Sequence, residues 1–312
     1  MNISKSMPAI LVHDIGSPHP RLPYFDNMVA HIAKAPDGLT ISINPGGNIL
    51  YPGIKSIEVV RTRKVPLAVA NTALLSSIDP RLGFVSLPFT ISDELMLVGT
   101  NPENMVKLIQ TYLKPAGLKI LGLMRGADAF FIMKAKHIHR IADLKGMRIR
   151  VSAPGIYEEV LKSLDAKPNP LAPSDVDGAF KRGALDGMVS SPGGWILSGP
   201  AGPRGSLVPG LIFYTYSMIA DQVWFDGLET HQQKTLEEAA RIYITEKWQD
   251  MKKDDGKVIS DFIAEKGGAL TFTAVPADKL GPWKEKVKMV VKKFEDTYPE
   301  VVKAYHSLIV NS

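Results

Sequence analysis

Two small groups of histidine and aspartate side chains are the first candidates for chemistry in this sequence. His13, Asp14 and His19 follow the first strand-like segment, and His137 and His139 stand two positions apart. On a strand, that spacing puts both imidazoles on one face, as metal ligands sometimes are. Because local spacing suggests no third ligand, we interpret His137 and His139 as surface histidines and predict no metal site.

The residue patterns of common cofactor and nucleophile sites are missing. The run at 199–205 (GPAGPRG) has neither the spacing nor the lysine of a phosphate-binding loop, and the glycine fingerprint of a dinucleotide site does not occur. The segment 187–191 (GMVSS) lacks the second glycine of a hydrolase nucleophile elbow. The chain has no cysteine, which excludes disulfides and thiolate nucleophiles. We therefore predict no cofactor and no catalysis.

Composition and charge narrow the class of partner. The chain has 312 residues, of which 45% are hydrophobic and 22% charged, as in ordinary globular proteins. Its net charge of +5 comes from basic residues interspersed with acidic ones, as at 284–293, which favours a solvated helix face over a nucleic-acid interface. No apolar run approaches the roughly 20 residues of a membrane-spanning helix. The positive balance would help to attract an anionic ligand.

Alternating strand-like and helix-like segments predict an α/β architecture. Apolar runs at 9–12, 39–43 and 65–70 predict strands, and the segments 24–35 and 54–60 predict helices. This order is typical of a parallel sheet covered on both faces. A second sheet is predicted from further strands and helices at 119–124, 129–133, 148–151, 157–164, 174–182 and 187–189.

One very long helix is predicted from Thr230 to about Lys266, roughly 50 Å if unbroken. Thr230 and Gln233 predict a capping box at its start, as Ser174 predicts a cap for the helix at 174–182. A bend is expected at 254–256 (DDG). If each predicted sheet belongs to its own lobe, a helix of this length could lie across both lobes.

Three segments, taken in order, resemble one protein family. They are 143–151 (DLKGMRIRV), 173–176 (PSDV) and 179–187 (AFKRGALDG). The succession is similar to that in the solute-binding proteins of TRAP transporters, the DctP-like family, and the Pro-Phe pair at 88–89 and the segment 224–228 agree with it. The resemblance implies a periplasmic-binding-protein (Venus flytrap) fold with two α/β lobes, hinge strands and a long helix spanning both lobes.

The resemblance also implies where a ligand binds. An arginine at the end of the D-L-K-G strand pairs with the ligand carboxylate in this family, and the matching residue here is Arg150. A guanidinium offers two parallel donors and stays charged when enclosed. A second arginine that some relatives carry is absent near Phe130, which favours an apolar or aromatic ligand body over a second fixed negative charge. Ser190 stands where relatives have a ligand-contacting asparagine, and Pro173 where they often have a cleft aromatic.

Strand ends supply further candidates, because α/β lobes place their binding loops there. Asn71 follows the third predicted strand and His19 the first, while Trp195 and Tyr214 lie near the predicted hinge crossing, as does Tyr216. For each aromatic residue, ordinary core packing is the competing interpretation. The predicted ligand-binding residues are therefore Arg150, Asn71, Phe130, Ser190, Trp195, Tyr214, His19 and Pro173.

These features predict a monomeric binding protein that captures a small organic acid and delivers it to the permease subunits of a TRAP transporter. Residues 1–124 with 214–250 are predicted to form lobe I, and 125–213 with 251–312 lobe II. The N-terminal residues 1–6 lack a secretory signal, so we expect a periplasmic protein whose signal has been removed. Two alternatives stay open: a two-domain lyase or isomerase with His19 or His13 as base, and a cytoplasmic effector-sensing domain.

Overall fold

The computed structural model describes residues 8–47, 49–198 and 202–310. Eleven strands run through these residues: β1 Ile10–His13, β2 Ser42–Ile43, β3 Leu67–Asn71, β4 Leu118–Asp128, β5 Phe130–Met133, β6 Arg148–Val151, β7 Lys167–Pro170, β8 Gly187–Ser190, β9 Arg204–Leu207, β10 Phe213–Asp221 and β11 Thr271–Ala274. The helices among them are α1 Leu22–Lys34, α2 Lys55–Arg61, α3 Asp93–Met96, α4 Asn101–Leu113, α5 Ile156–Ser163, α6 Pro173–Lys181, α7 Pro192–Ser198, α8 Gln222–Asp226, α9 Thr230–Tyr243, α10 Trp248–Glu265, α11 Gly281–Thr297 and α12 Pro299–Tyr305. Within the described ranges, none of the helices has both the length and the apolar character that crossing a bilayer requires.

The strands form two mixed sheets, one in each lobe. The first has the order β2-β1-β3-β10-β4, in which β1 is parallel to β2 and β3 while β10 is antiparallel to β3 and β4. The second has the order β11-β9-β5-β8-β6-β7, with β5 antiparallel to β8 and β9. The predicted two-lobed α/β fold is confirmed. The first sheet is not purely parallel, because β10 returns from the second lobe and inserts in the opposite direction.

The first sheet is buried on both faces, as expected for a sheet covered by crossover helices. Leu11 of β1 packs in one core cluster with Phe25 of α1, whereas the next residue, Val12, lies in another cluster with Ile57 of α2. Successive residues of a strand point to opposite faces, so the two neighbours enter different cores. All five residues of β3 are buried, which fits its central place in the sheet.

Two short connections carry the chain between the sheets and form the hinge. β4 passes through Ala129 into β5, and residues 208–212 lead from β9 back into β10. The connections are joined by hydrogen bonds: the Ala129 amide donates to the Ile212 carbonyl oxygen at 2.9 Å, and the Gly210 amide donates to the Asp128 carboxylate at 3.1 Å. Helix α10 lies across this region, in contact with β4 and with α7.

A buried ion network fixes α10 to the first lobe. Asp255 of α10 accepts hydrogen bonds from Arg21, at 2.8 Å, and from Arg125 of β4. Arg125 also binds both carboxylate oxygens of Asp93, at 2.6 and 2.9 Å, and Arg21 donates to the carbonyl oxygens of Arg125 and Gly126. Arg21, Arg125, Asp93 and Asp255 are all less than 9% exposed. The four buried charges therefore pair mainly with one another, and Lys252 at the surface also lies 3.7 Å from Asp93.

The predicted long helix is two helices. α9 and α10 are separated by one 3-10 turn at Thr245–Lys247. The Thr245 hydroxyl accepts the amide hydrogen of Leu123 in β4 at 3.2 Å, so a contact distant in sequence fixes the turn. The apolar pattern continues through the break because both helices pack on β4. Gly256, where the sequence predicts a bend, lies inside α10.

Two predicted helix caps are wrong. α9 is capped one residue earlier than Thr230: the Glu229 amide donates to Oε1 of Gln232 at 3.2 Å. α6 begins at Pro173 and has no side-chain cap from Ser174. Proline suits a first helical turn because it has no amide hydrogen to leave unpaired.

The predicted division of the chain between the lobes stays a prediction. β11 pairs with β9 in the second sheet. The last helical turns, by contrast, contact the first lobe, since the Asn101 side chain donates to the Ile309 carbonyl oxygen at 3.1 Å and the Tyr305 hydroxyl to that of Thr90 at 2.6 Å. The residues after 251 therefore contact both lobes.

Asp128 in the hinge is expected to make the protein less stable as pH rises. Burial, together with the negative charges of Asp93 and Glu94, raises the pKa of Asp128 to about 7. A carboxyl group whose pKa is higher in the folded than in the unfolded protein binds more protons when folded, so the free energy of unfolding falls between about pH 4 and pH 7. Asp128→Asn keeps an oxygen for the Gly210 amide but cannot ionise.

We expect Asp128→Asn to raise the free energy of unfolding above neutral pH by at least about 1 kcal/mol, the equivalent of roughly one pKa unit. Chemical denaturation across the acid-to-neutral range measures this, and the difference between the two proteins should vanish at low pH. Parallel curves for wild type and variant over the whole range would contradict the role given to Asp128.

Candidate functional site

A cavity lies between the two lobes, beside the ends of β1 and β6. Its volume is about 140 Å³, the liquid volume of roughly five water molecules, which suits a small molecule. The loop after β1 and strand β10 form its first-lobe wall, and β6, β8, α6 and α7 form the second-lobe wall. The lining residues are Asp14, Ile15, Gly16, His19, Arg150, Ser152, Pro173, Val176, Asp177, Met188, Ser190, Ser191, Gly194, Leu197, Tyr214 and Tyr216.

Arg150 enters the cavity from the second lobe. Its Nε and Nη2 both donate to the Leu171 carbonyl oxygen, at 2.9 and 2.7 Å, and the residue is 4% exposed. Burial lowers the pKa of Arg150, against the opposing effects of Tyr214, Tyr216 and Asp14. In the part of the chain that the structure describes, no carboxylate forms a salt bridge with this guanidinium. A buried cation without a paired anion is costly, so the site favours an anionic ligand.

The first-lobe wall contributes one acid and two phenols. Oδ2 of Asp14 accepts the Gly53 amide hydrogen at 2.8 Å, and burial raises the pKa of Asp14. The Tyr214 hydroxyl donates to the Val189 carbonyl oxygen at 3.0 Å, which links β10 to β8. Burial raises the pKa of both Tyr214 and Tyr216, so the two phenols are neutral.

The two histidines at and after the end of β1, His13 and His19, are also neutral. Burial lowers the pKa of His13 to about 4 and that of His19 to about 3. Nδ1 of His19 accepts the Arg21 amide hydrogen at 3.2 Å, so the ring carries its proton on Nε2. Among the lining residues that the structure describes, Arg150 is therefore the cation.

Five of the eight predicted ligand-binding residues line this cavity: Arg150, His19, Pro173, Ser190 and Tyr214. Asn71 stands directly behind the wall. Its Nδ2 donates to the hydroxyl of the lining residue Ser152 at 3.0 Å, and this bond joins the end of β3 in one lobe to the end of β6 in the other.

Phe130 and Trp195 do not line the cavity. They pack edge to face in the core of the second lobe, with ring centroids 5.4 Å apart, and Phe272 lies 5.1 Å from Phe130. Trp195 is fully buried and donates its indole hydrogen to the Gly202 carbonyl oxygen at 2.8 Å. Phe130 borders a separate cavity of about 510 Å³. The prediction that a ligand stacks on Phe130 is therefore unsupported, and we leave both residues out of the proposed site.

Several lining residues were missed in the sequence. Strand alternation could have indicated two of them: Ser152 follows Arg150 by two positions, and Met188 precedes Ser190 by two, which puts each pair on one face. Asp14 was a candidate for chemistry together with His13 and His19, but it was not among the eight predicted ligand-binding residues.

The lobes touch at the mouth of the cavity, where two glycines permit the close approach. A Cβ atom on Gly193 of α7 would lie 2.3 Å from the His19 ring, and one on Gly16 would lie 3.1 Å from Leu197. Larger side chains there would hold the lobes apart. The cavity in this structure therefore belongs to a closed arrangement of the lobes.

Metal-ligating residues do not gather elsewhere either. The described parts of the chain contain no group of three or more histidine, aspartate or glutamate side chains that could hold a metal ion. His137 instead hydrogen-bonds to the hydroxyls of Ser206, at 3.0 Å, and Thr271, at 2.7 Å.

The chain matches one protein family and several curated proteins. The family model named DctP, bacterial extracellular solute-binding protein, family 7, matches residues 13–297. The chain is 28% identical over 137 residues to the uncharacterized protein YiiZ of Salmonella typhimurium, covering 43% of this chain and 42% of that protein. It is 27% identical over 161 residues to the ectoine-binding periplasmic protein TeaA of Halomonas elongata, covering 49% and 45% respectively. The chain thus spans about half the length of these curated relatives.

Among solved structures, a TRAP periplasmic solute-binding protein from a Sulfitobacter species, with bound β-D-galacturonate, is similar over nearly the whole chain. The TM-score is 0.84 at 18% identity, and the match covers 97% of this chain and 100% of that one. At this identity the likeness establishes the two-lobed fold and not the ligand.

Proposed function

Because the chain belongs to family 7 of the bacterial extracellular solute-binding proteins, we propose that it captures a small organic acid and delivers it to the membrane permease subunits of a TRAP transporter. Proteins of this family bind solutes for transport and are not enzymes. The lyase or isomerase alternative is therefore dropped, as is the cytoplasmic sensing domain. We place this chain in the periplasm and treat it as a monomer.

The observation that carries the proposal is the buried guanidinium of Arg150 in the interlobe cavity. Two of its nitrogens are fixed by the Leu171 carbonyl oxygen, which orients the group without neutralising it. An incoming carboxylate would form the direct ion pair that Arg150 lacks and accept charge-assisted hydrogen bonds. A pre-oriented cation also loses little side-chain freedom on binding.

The proposed ligand carries one carboxylate rather than two. Arg150 is the cation of the described lining, because His19 is neutral, so a second carboxylate would be enclosed without a partner. The apolar side chains of Ile15, Val176 and Met188 line the same cavity and can contact the body of a small acid.

Binding and closure are one equilibrium in this proposal. Lining residues come from both lobes, so a ligand contacts the complete set only when the lobes are together, and it stabilises the closed form by those contacts. The division into lobe I (1–124 with 214–250) and lobe II (125–213 with 251–312) is part of this proposal. The Asn71–Ser152 hydrogen bond and the hinge connections would form the moving boundary.

A thermal screen tests the proposed function directly. Protein that has been unfolded and refolded, to remove any co-purified molecule, is heated with a panel of small mono- and dicarboxylic acids. A binding acid present at about 100 times its Kd should add roughly 2.7 kcal/mol to the free energy of unfolding, a rise in Tm of several degrees. The Arg150→Ala variant serves as the control and should show no rise.

The same incubations are followed by NMR of the acid. A binding protein leaves the acid unchanged, so steady conversion of any acid would contradict the proposal, as would a panel in which no acid raises the Tm.

A further inference from the structure

The interlobe cavity contains an acidic side chain as well as the arginine. Asp14 lies at the end of β1, lines the cavity from the first lobe, and is 9% exposed. Its Oδ2 accepts a hydrogen bond from the Gly53 amide. Within the described residues, Asp14 forms no salt bridge. Asp14 and Arg150 nevertheless interact electrostatically. The two walls of the site therefore carry opposite charges.

An enclosed carboxylate restricts which acids can bind. A ligand with an apolar end near Asp14 would cover that carboxylate and leave its Oδ1 without a donor from another residue, which is costly for a buried polar group. A dicarboxylate would add like-charge repulsion to that cost. A ligand with an O–H or N–H group at this place would instead donate a charge-assisted hydrogen bond.

We propose that Asp14 is a specificity-determining residue of the site, and that it selects small carboxylic acids whose body carries a hydroxyl or ammonium donor. The carboxylate of such a ligand meets Arg150 on the second lobe, and its donor meets Asp14 on the first. This inference rests on the proposed function, since it assigns the second end of the same ligand. It replaces the apolar or aromatic ligand body predicted from Phe130, which lies outside the cavity.

The charges of the wall suit both ends of such a ligand, and they balance fully for the ammonium-bearing acids. Arg150 and Asp14 carry opposite charges, and His19 is neutral. Asp177, the other acid of the lining, is 67% exposed in its side chain and paired with Lys181 at 2.6 Å. Solvent screens that pair, so Asp14 is the acid that dominates the electrostatics of the enclosed lining.

Isothermal titration calorimetry with matched acids tests the proposal. The probes are the straight-chain acids from propionate to hexanoate, each as the unsubstituted acid, its hydroxy acids, its amino acids and the corresponding dicarboxylate. For at least one chain length, wild type should bind a donor-bearing acid about tenfold or more tightly than the unsubstituted one. Preference for amino over hydroxy acids would identify the donor as ammonium, and the reverse preference would identify it as hydroxyl.

Two variants of Asp14 separate its charge from its acceptor oxygen. Asp14→Asn should remove the advantage of amino acids and retain part of that of hydroxy acids, since an amide oxygen still accepts a hydrogen bond. Asp14→Ala should remove both advantages while the unsubstituted acids keep or improve their affinity at Arg150. Asp261→Asn is the matched control: Asp261 lies outside the cavity, is 62% exposed and pairs with Lys257, so the ratios should stay within about twofold.

The outcomes distinguish the two proposals. If acids bind and Arg150 is required, but the donor gives no advantage or the advantage survives in Asp14→Ala, then the role of Asp14 is wrong and the proposed function stands. If no acid binds to wild type, both are wrong. The wild-type comparison decides the matter even if an Asp14 variant does not fold.

Discussion

Replacing Arg150 by alanine is expected to abolish most acid binding and leave the fold intact. Truncating one partner of an enclosed, hydrogen-bonded charge pair costs about 2–5 kcal/mol, which corresponds to an increase in Kd of roughly 30- to 4,000-fold. The free protein should not lose stability, because Arg150 forms no salt bridge in the described residues and its burial is itself unfavourable. Calorimetry with the acid selected by the thermal screen measures the first effect, and thermal unfolding without acid measures the second.

Arg148→Ala is the matched control for this experiment. Arg148 lies on the same strand two residues earlier, but its side chain is 46% exposed and paired with Asp186 at 2.7 Å, outside the cavity. We expect acid affinity to change less than about twofold. Arg150→Lys should recover part of the binding, since it restores a charge without the two parallel donors. Wild-type affinity in Arg150→Ala would show that the carboxylate binds elsewhere.

The local parts of the site were predictable from the sequence. β6 was predicted at its observed limits, Arg148–Val151, because two β-branched residues alternate there with two arginines, between a glycine turn and a helix. The family resemblance then assigned Arg150, and the structure places this residue in the interlobe cavity. Asn71 and His19 lie near the same cavity because both follow parallel strands, whose carboxyl ends meet at one edge of a sheet.

The predictions that the structure does not support depended on contacts between distant parts of the chain. Phe130 was assigned by counting back from Arg150, but the direction of its side chain is set by the antiparallel pairing of β5 with β8 and β9 and by the rings of Trp195 and Phe272. The break between α9 and α10 depends on the bond from Leu123 to Thr245. Neither the pairing nor the bond leaves a local pattern, so periodicity could not indicate them.

The buried network around Asp255 also depends on contacts between residues that are distant in sequence. Its members come from positions 21, 93, 125 and 255, and each charge is stabilised by another that lies far away in sequence. Asp255 is the acid shared by both arginines. The network also reaches the ligand site, because the Arg21 amide donates to the ring of His19, a lining residue of the cavity.

Asp255→Ala is therefore expected to be strongly destabilising. It leaves Arg21 with only backbone carbonyl partners and deprives Arg125 of one of its two carboxylates, and an uncompensated buried charge of this kind costs about 3–5 kcal/mol. At roughly 1.5 °C for each kcal/mol in a chain of this size, the Tm should fall by about 5–8 °C. Urea denaturation measures the free energy, and thermal unfolding the Tm.

Asp261→Ala on the same helix is the control for this effect. Asp261 is 62% exposed and pairs with Lys257, so its removal should change the free energy of unfolding by less than about 0.5 kcal/mol. Because the network supports the segment that carries His19, Asp255→Ala should also weaken acid binding at temperatures where it is folded, whereas Asp261→Ala should not. Equal unfolding curves for the two variants would mean that the network contributes no more than a surface ion pair, and that α10 is held to the first lobe by its apolar contacts alone.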